Sequence, residues 1–210
     1  MTFPLVKPSS TLRALSLSCD PSFLELPHEP LVLESIILRH LGGGPTILLN
    51  LLNSKHLTCI VLHNQTIFGV ELFSQWLEGL PFYSSLRTFS FAMKTGHISG
   101  TFILPKLLLF LSNHSFITYL DIDIYVDDHF GQLGTILRQM TALELFGFTT
   151  SVSHRSHHPN HENIFEYLRP ILSSLPSRLG GLEIGTWYWL KAPAEVREPC
   201  ATRETTRTNS

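Results

Sequence analysis

One short pattern limits what this chain can fold into: an apolar residue, two variable residues, an apolar residue, one variable residue, an apolar residue. It occurs as LRALSL from Leu12, LESIIL from Leu33, LTCIVL from Leu57 and LRTFSF from Leu86. It continues as ITYLDI from Ile117, LELFGF from Leu143 and LGGLEI from Leu179. The starts lie 21, 24, 29, 31, 26 and 36 residues apart. A single match to so loose a pattern means little in an apolar chain. Seven in order, with no long gap, predict a repeating unit. The last two apolar positions are two apart, so they project from the same face of a strand.

Between these segments the spacing changes to that of helices. Helices are predicted over Pro45–Ser54, Val70–Leu80, Phe102–His114, His129–Met140 and Glu162–Leu175. Leu72, Phe73, Trp76, Leu77 and Leu80 fall on one helical face, as do Ile164, Phe165, Leu168, Ile171, Leu172 and Leu175. Pro45 suits a first helical turn, whereas Pro105 and Pro170 are expected to start or kink their helices.

The order is therefore strand, helix, strand, helix, and connections of this length return the chain for a parallel neighbour. Two α/β architectures fit. A doubly wound sheet, the frame of a small enzyme, requires helices on both faces and apolar strands throughout. A solenoid requires helices on one side and leaves one strand face in solvent. The variable strand positions include Ser16, Ser18, Ser35, Arg39, His63, Thr88, Ser90, Asp121, Asp123 and Glu183, with Ile37, Val61 and Leu145 as apolar exceptions. That face is too polar for a sheet buried on both sides, which favours the solenoid, with parallel strands on a concave face and helices on a convex one. The expected organisation is a lead-in over residues 1–11, open to being truncated; a solenoid of about seven units over 12–190; and a disordered tail over 191–210.

Composition narrows the partner. Apolar residues make up 43% of the 210, enough for a core, and charged residues only 15%. A net charge of −2 argues against nucleic acid, whose phosphates demand an excess of Lys and Arg. No apolar run reaches a membrane span, and the N-terminus, with Pro4 and Pro8, lacks the form of a signal peptide. Cys19, Cys59 and Cys200 are odd in number and far apart. They are expected to be reduced thiols in a cytoplasmic or nuclear protein.

The LxxLxL segments alternating with helices resemble the leucine-rich repeat family in its irregular form, over roughly Leu12 to Leu190. The family's Asn or Cys, three residues after the third apolar position, is replaced by Asp20, Leu41, Gln65, Lys94, Tyr125, Ser151 and Trp187, so no Asn ladder is expected. Degenerate repeats of this kind are similar to those of fungal F-box proteins. In that family the F-box binds the adaptor subunit of a cullin ubiquitin ligase and the repeats hold the substrate. An F-box itself is not evident. Its nearest match, LPHEPLVLESIILRHL from Leu26 to Leu41, places Pro30 directly after LPxE and overlaps the strand pattern at Leu33. The resemblance implies a substrate-holding scaffold, and an adaptor contact only if an F-box is present. A truncated, non-functional repeat fragment is the remaining alternative.

Candidate chemistry is sparse, and neither catalysis, cofactor nor metal is expected. HRSHHPNH, His154 to His161, lies in the longest insertion and reads as a solvated loop rather than a zinc site. Asp121, Asp123, Asp127 and Asp128 lack the glycine turn and terminal Glu of a calcium loop. LGGG before Pro45 lacks a phosphate-binding pattern and reads as a turn. Strand alternation instead assigns partner contacts to Ser35, Ile37 and Arg39; Cys59, Val61 and His63; Thr88, Ser90 and Ala92; Tyr119, Asp121 and Asp123; and Leu145, Gly147 and Thr149. Arg39, Val61, His63, Thr88, Ser90, Tyr119, Asp121, Asp123 and Leu145 are the principal candidates. The face runs from neutral and apolar to acidic, which predicts a protein partner with a basic patch.

Overall fold

A computed structural model describes residues 12–18, 31–39, 53–63, 77–92, 97–123, 130–152 and 164–188. Most of the first two predicted helices lies outside these residues. So do the lead-in, the 191–210 tail, the LGGG turn, Asp127, Asp128, the histidine-rich insertion, Cys19 and Cys200.

Each of the seven apolar segments supplies one strand: β1 (Ala14–Leu17), β2 (Ser35–Arg39), β3 (Cys59–His63), β4 (Thr88–Ala92), β5 (Tyr119–Asp123), β6 (Leu145–Val152) and β7 (Gly181–Tyr188). They form one all-parallel sheet in the order β1-β2-β3-β4-β5-β6-β7. The order never reverses, so the sheet has no switch point of the kind that opens a crevice in doubly wound folds. Equivalent pattern positions pair across every interface: Ile36 with Ile60, Ile60 with Phe89, Phe89 with Leu120, Leu120 with Phe146, and Phe146 with Leu182. The pattern therefore fixes the register, because a slip by one residue would exchange the two faces.

Two backbone devices recur at the strand entrances. The first apolar N–H of a unit donates to the carbonyl three residues back, as Leu57 does to Ser54, Leu86 to Tyr83, Ile117 to His114, Leu143 to Met140 and Leu179 to Pro176, at 3.0–3.4 Å. The carbonyl of the next residue then accepts two N–H groups from the following unit. Arg13, Glu34, Thr58, Arg87, Thr118 and Glu144 all do this, at 2.7–2.8 Å and 2.9–3.2 Å. Where that residue is Thr58 or Thr118, its hydroxyl also donates to the carbonyl of the unit before, at 3.0 and 3.2 Å. The ladder is made of backbone, so the units stack without any fixed side chain, and the return segments are left free to differ in length.

Besides a helical turn at residues 77–79, inside the predicted Val70–Leu80, three helices are described: α1 (His97–Ser112), α2 (Phe130–Gln139) and α3 (Ile164–Leu172). α2 and α3 match the sequence expectation to within a few residues. α1 begins five residues before the predicted Phe102 and runs through Pro105 instead of starting there. Pro105 is on the exposed side, where water can satisfy the carbonyl that loses its N–H partner. Ile103, Leu104, Leu107, Leu108 and Leu111 of α1 share one core with Leu133 and Leu137 of α2, Leu168 and Ile171 of α3, and the inward strand residues. From β2 to β6 the pattern's apolar residues are at most 1% exposed. Their counterparts in the end units, Leu12, Leu15, Leu17, Leu179, Leu182 and Ile184, are only partly buried.

α2 and α3 touch at Gly134. A Cβ there would lie 2.5 Å from the Pro170 carbonyl oxygen and 3.0 Å from Ser174 Oγ. A glycine inside a helix usually costs about 1 kcal/mol against alanine, and here it permits the close approach. Ser174, buried beside it, donates to the Pro170 carbonyl at 2.6 Å and accepts from Arg138.

Candidate functional site

The described helices pack on one face of the sheet. The other carries three parallel rows of side chains set by the register. One row is Ser35, Cys59, Thr88, Tyr119, Leu145 and Gly181; the next is Ile37, Val61, Ser90, Asp121, Gly147 and Glu183; the third is Arg39, His63, Ala92, Asp123, Thr149 and Gly185. All of the strand positions assigned above to partner contact lie in these rows. Most are half-buried or exposed, and Tyr119 (37%) and Leu145 (46%) are among the most exposed large apolar side chains described.

Ser90 departs from the expectation of an accessible contact. It is only 3% exposed, because His63 and Asp121 close over it from the strands on either side. Ser90 Oγ donates to Asp121 Oδ2 at 2.8 Å, and His63 Nε2 lies 2.7 Å from the same Oγ. A hydroxyl has one proton to give, and this one goes to the carboxylate, so His63 Nε2 is the donor to Ser90. The chain runs His63 to Ser90 to Asp121 across β3, β4 and β5. Its polarity is opposite to that of a nucleophilic serine, whose proton passes to histidine, and Ser90 is too enclosed to meet a substrate. What the chain does is fix the direction of the Asp121 carboxylate. Burial lowers the His63 pKa, Asp121 raises it and Arg39 lowers it again, with a net shift below the ordinary 6.5.

Gly147 completes the placement. A Cβ on it would sit 2.5 Å from Asp121 Oδ1, so the carboxylate lies over bare backbone on the side towards β7. Leu145 leans over Gly181 in the same way, where a Cβ would meet its Cδ2 at 2.6 Å. Tyr119 feels the result: burial first, then Asp121 and Glu183, raise its phenol pKa above the ordinary 10.0. Glu183 thus joins Asp121 and Asp123 in one acidic field. It was visible in the sequence as a polar strand position, but only the register places it in the row of Asp121. Arg39, on β2, stands on the far side of that hydrogen-bonded chain, next to His63.

The covered side holds a second histidine with a different role. His114 is 2% exposed. Its Nε2 accepts the Tyr83 backbone N–H at 3.0 Å, and its Nδ1 donates to the Phe110 carbonyl at 2.7 Å. The ring stacks on Phe110 with centroids 4.2 Å apart. Both nitrogens are used only in the neutral form, and burial holds the pKa below 6.5. His114 therefore acts as a structural tie between two units.

Among the described residues, no three His, Cys, Asp or Glu side chains are grouped so as to hold a metal ion, and no helix is long and apolar enough to cross a membrane. Cys59, half-buried on the open face, forms no disulfide. No protein-family model, no curated protein and no solved structure matches the chain.

Proposed function

We propose that the chain is a leucine-rich-repeat-like solenoid whose open sheet face binds another protein, serving as the substrate-holding part of an F-box-type ubiquitin ligase adaptor. The observation that carries the binding half is the contrast between the faces. One is sealed by helices. The other presents an in-register array of half-exposed side chains, with Tyr119 and Leu145 as apolar contacts beside oriented carboxylates. Aromatic anchors next to fixed polar groups are what protein interfaces use for affinity and orientation. The repeat pattern and its resemblance to fungal F-box relatives support the ligase half. The array of carboxylates supports a partner with a basic patch.

Affinity capture from cells with three versions of the chain tests this reading. Wild type is compared with Tyr119→Glu plus Leu145→Glu, and with Leu109→Glu, which alters an exposed position on α1. Partners retained by wild type and Leu109→Glu but lost by the double variant are expected. Equal retention by all three would remove the open face as the binding surface. Recovery of the cullin-ligase adaptor supports the ligase assignment, and its absence beside another stable, face-dependent partner overturns that part alone.

A further inference from the structure

The two ends of the open face carry opposite charge, and the register sets how far apart they are. Arg39 lies on β2 beside His63 on β3. Asp121 and Asp123 lie on β5 and Glu183 on β7. Among the described open-face positions of β5, β6 and β7 there is no Lys or Arg. Adjacent strands are about 4.8 Å apart, so Arg39 stands roughly 14 Å from the Asp121 strand and roughly 24 Å from the Glu183 strand. Beside Arg39 and His63, on the same two strands, Ile37 and Val61 give an apolar floor, and at the acidic end Tyr119 and Leu145 stand up as register partners.

From this arrangement we infer that the face takes an extended peptide segment carrying charge of both signs: Arg or Lys over Asp121 and Glu183, and Asp or Glu over Arg39. Residues of an extended chain advance about 3.3 Å each, so the two charges stand about four to seven residues apart, with apolar residues between them. The aliphatic stem of the basic residue rests on Tyr119 and Leu145 while its head meets the carboxylates, as long cationic side chains do at amphipathic surfaces. A fork-shaped guanidinium fits the site better than an ammonium. Asp121 is held by Ser90 at one oxygen and leaves the other, Oδ1, lying over Gly147 towards β7. Charge order then supplies specificity as well as attraction, because a segment laid the other way brings like charges together. The inference rests on the open face being the binding surface and adds what occupies it.

The test uses the full chain and a display library of random peptides about twelve residues long, enough to span the face when extended. Enriched peptides are expected to pair a basic with an acidic residue at the stated spacing. Their affinity, read by fluorescence anisotropy, should fall at least tenfold with Asp121→Lys plus Glu183→Lys, fall at least threefold with Arg39→Glu, and weaken as salt rises. The gentler pair Asp121→Asn with Glu183→Gln, which keeps an acceptor for Ser90, should give the same direction if the lysine variant folds poorly. Peptides that are weakened by Tyr119→Ala with Leu145→Ala but untouched by every charge change overturn the two-signed segment and leave the open face standing. So do peptides that need only a basic residue and ignore Arg39→Glu. Peptides indifferent to all of these variants, or no enrichment over a bare surface, overturn both.

Discussion

On the covered face, Phe89 and Phe91 stack with centroids 6.4 Å apart, as do Phe146 and Phe148 at 6.1 Å, all at most 1% exposed. Between them on the same strands, Ser90 and Gly147 point the other way and hold a carboxylate in place. One backbone thus serves two surfaces with separate tasks. Side chains facing the helices settle stability through packing. Side chains facing outwards are close together because of the register, so their order can be set almost independently of the core. Substitutions made in matched pairs, one on each face, can break this division.

The largest effect belongs to the covered face. Phe89→Ala is expected to cost about 3–5 kcal/mol, from lost transfer energy and an unfilled cavity at a site with no exposure. A urea titration should show a lower midpoint with an unchanged slope. A cost below about 1 kcal/mol would mean that the helices do not seal this side as the core indicates.

The two histidines give the next contrast. His114→Phe keeps the ring stacking but removes the acceptor of the Tyr83 N–H and one of the two donors to the Phe110 carbonyl, which keeps the Asn113 N–H, and is expected to cost about 1–3 kcal/mol. The pH dependence follows from the lowered folded-state pKa of His114. The unfolded chain takes up its proton first, near pH 6.5, so the full contribution is present above that pH and is lost as pH falls towards the folded value. Wild type should lose stability on acidification through this window, and His114→Phe should lose less. His63 is also lowered, with the same sign, but its more accessible position makes the effect of His63→Gln on the acid slope the smaller one. Thermal melts between neutral pH and pH 5 separate the two.

Glycines test the division at closer range. At Gly134 an added Cβ meets a backbone carbonyl, which cannot move without shifting α3. Gly134→Ala is therefore expected to cost about 1–2 kcal/mol, the strain of overpacking outweighing the roughly 1 kcal/mol that alanine gains in a helix. At Gly147 the same Cβ meets only the Asp121 carboxylate, which can swing aside at the loss of its Ser90 bond. Gly147→Ala is expected to cost below about 1 kcal/mol while weakening any ligand that needs Asp121 in place. Equal destabilisation by the two would show that the open face is as tightly packed as the helix contact.

The strands, their order along the chain and the covered residues were legible because period-two alternation and unit-to-unit register are both written in one-dimensional spacing. The start of α1 was not. From Phe102 on its residues are apolar nearly all round, Leu109 on the exposed side included, so the pattern has no edge, and its first four residues, HISG, hold a single apolar residue, Ile98, too few to show a helical period. The burial of Ser90 depends on side chains 27 residues before it and 31 after it, and no local pattern reports that. Invisible for a different reason was the double acceptance at Glu34, Thr58 and Arg87: backbone groups make it, so any residue type can occupy those positions. The same fact explains how units start 21 to 36 residues apart and still stack in register.

The smallest stability effect is the one that matters most for the proposed function. Tyr119 and Leu145 are register partners on the open face, 37% and 46% exposed and outside the sealed core, so truncating both leaves that core intact. Tyr119→Ala with Leu145→Ala is expected to shift the unfolding free energy by no more than about 0.5 kcal/mol, as surface changes away from packed features do. The same pair should abolish face-dependent capture, because exposed aromatic and aliphatic contacts become buried only when a partner arrives. A loss of several kcal/mol would place these side chains in the fold's own packing, and the open face would then need another explanation. Unchanged stability with lost binding would separate the two faces by experiment, since the residues recognition needs most would be those folding needs least.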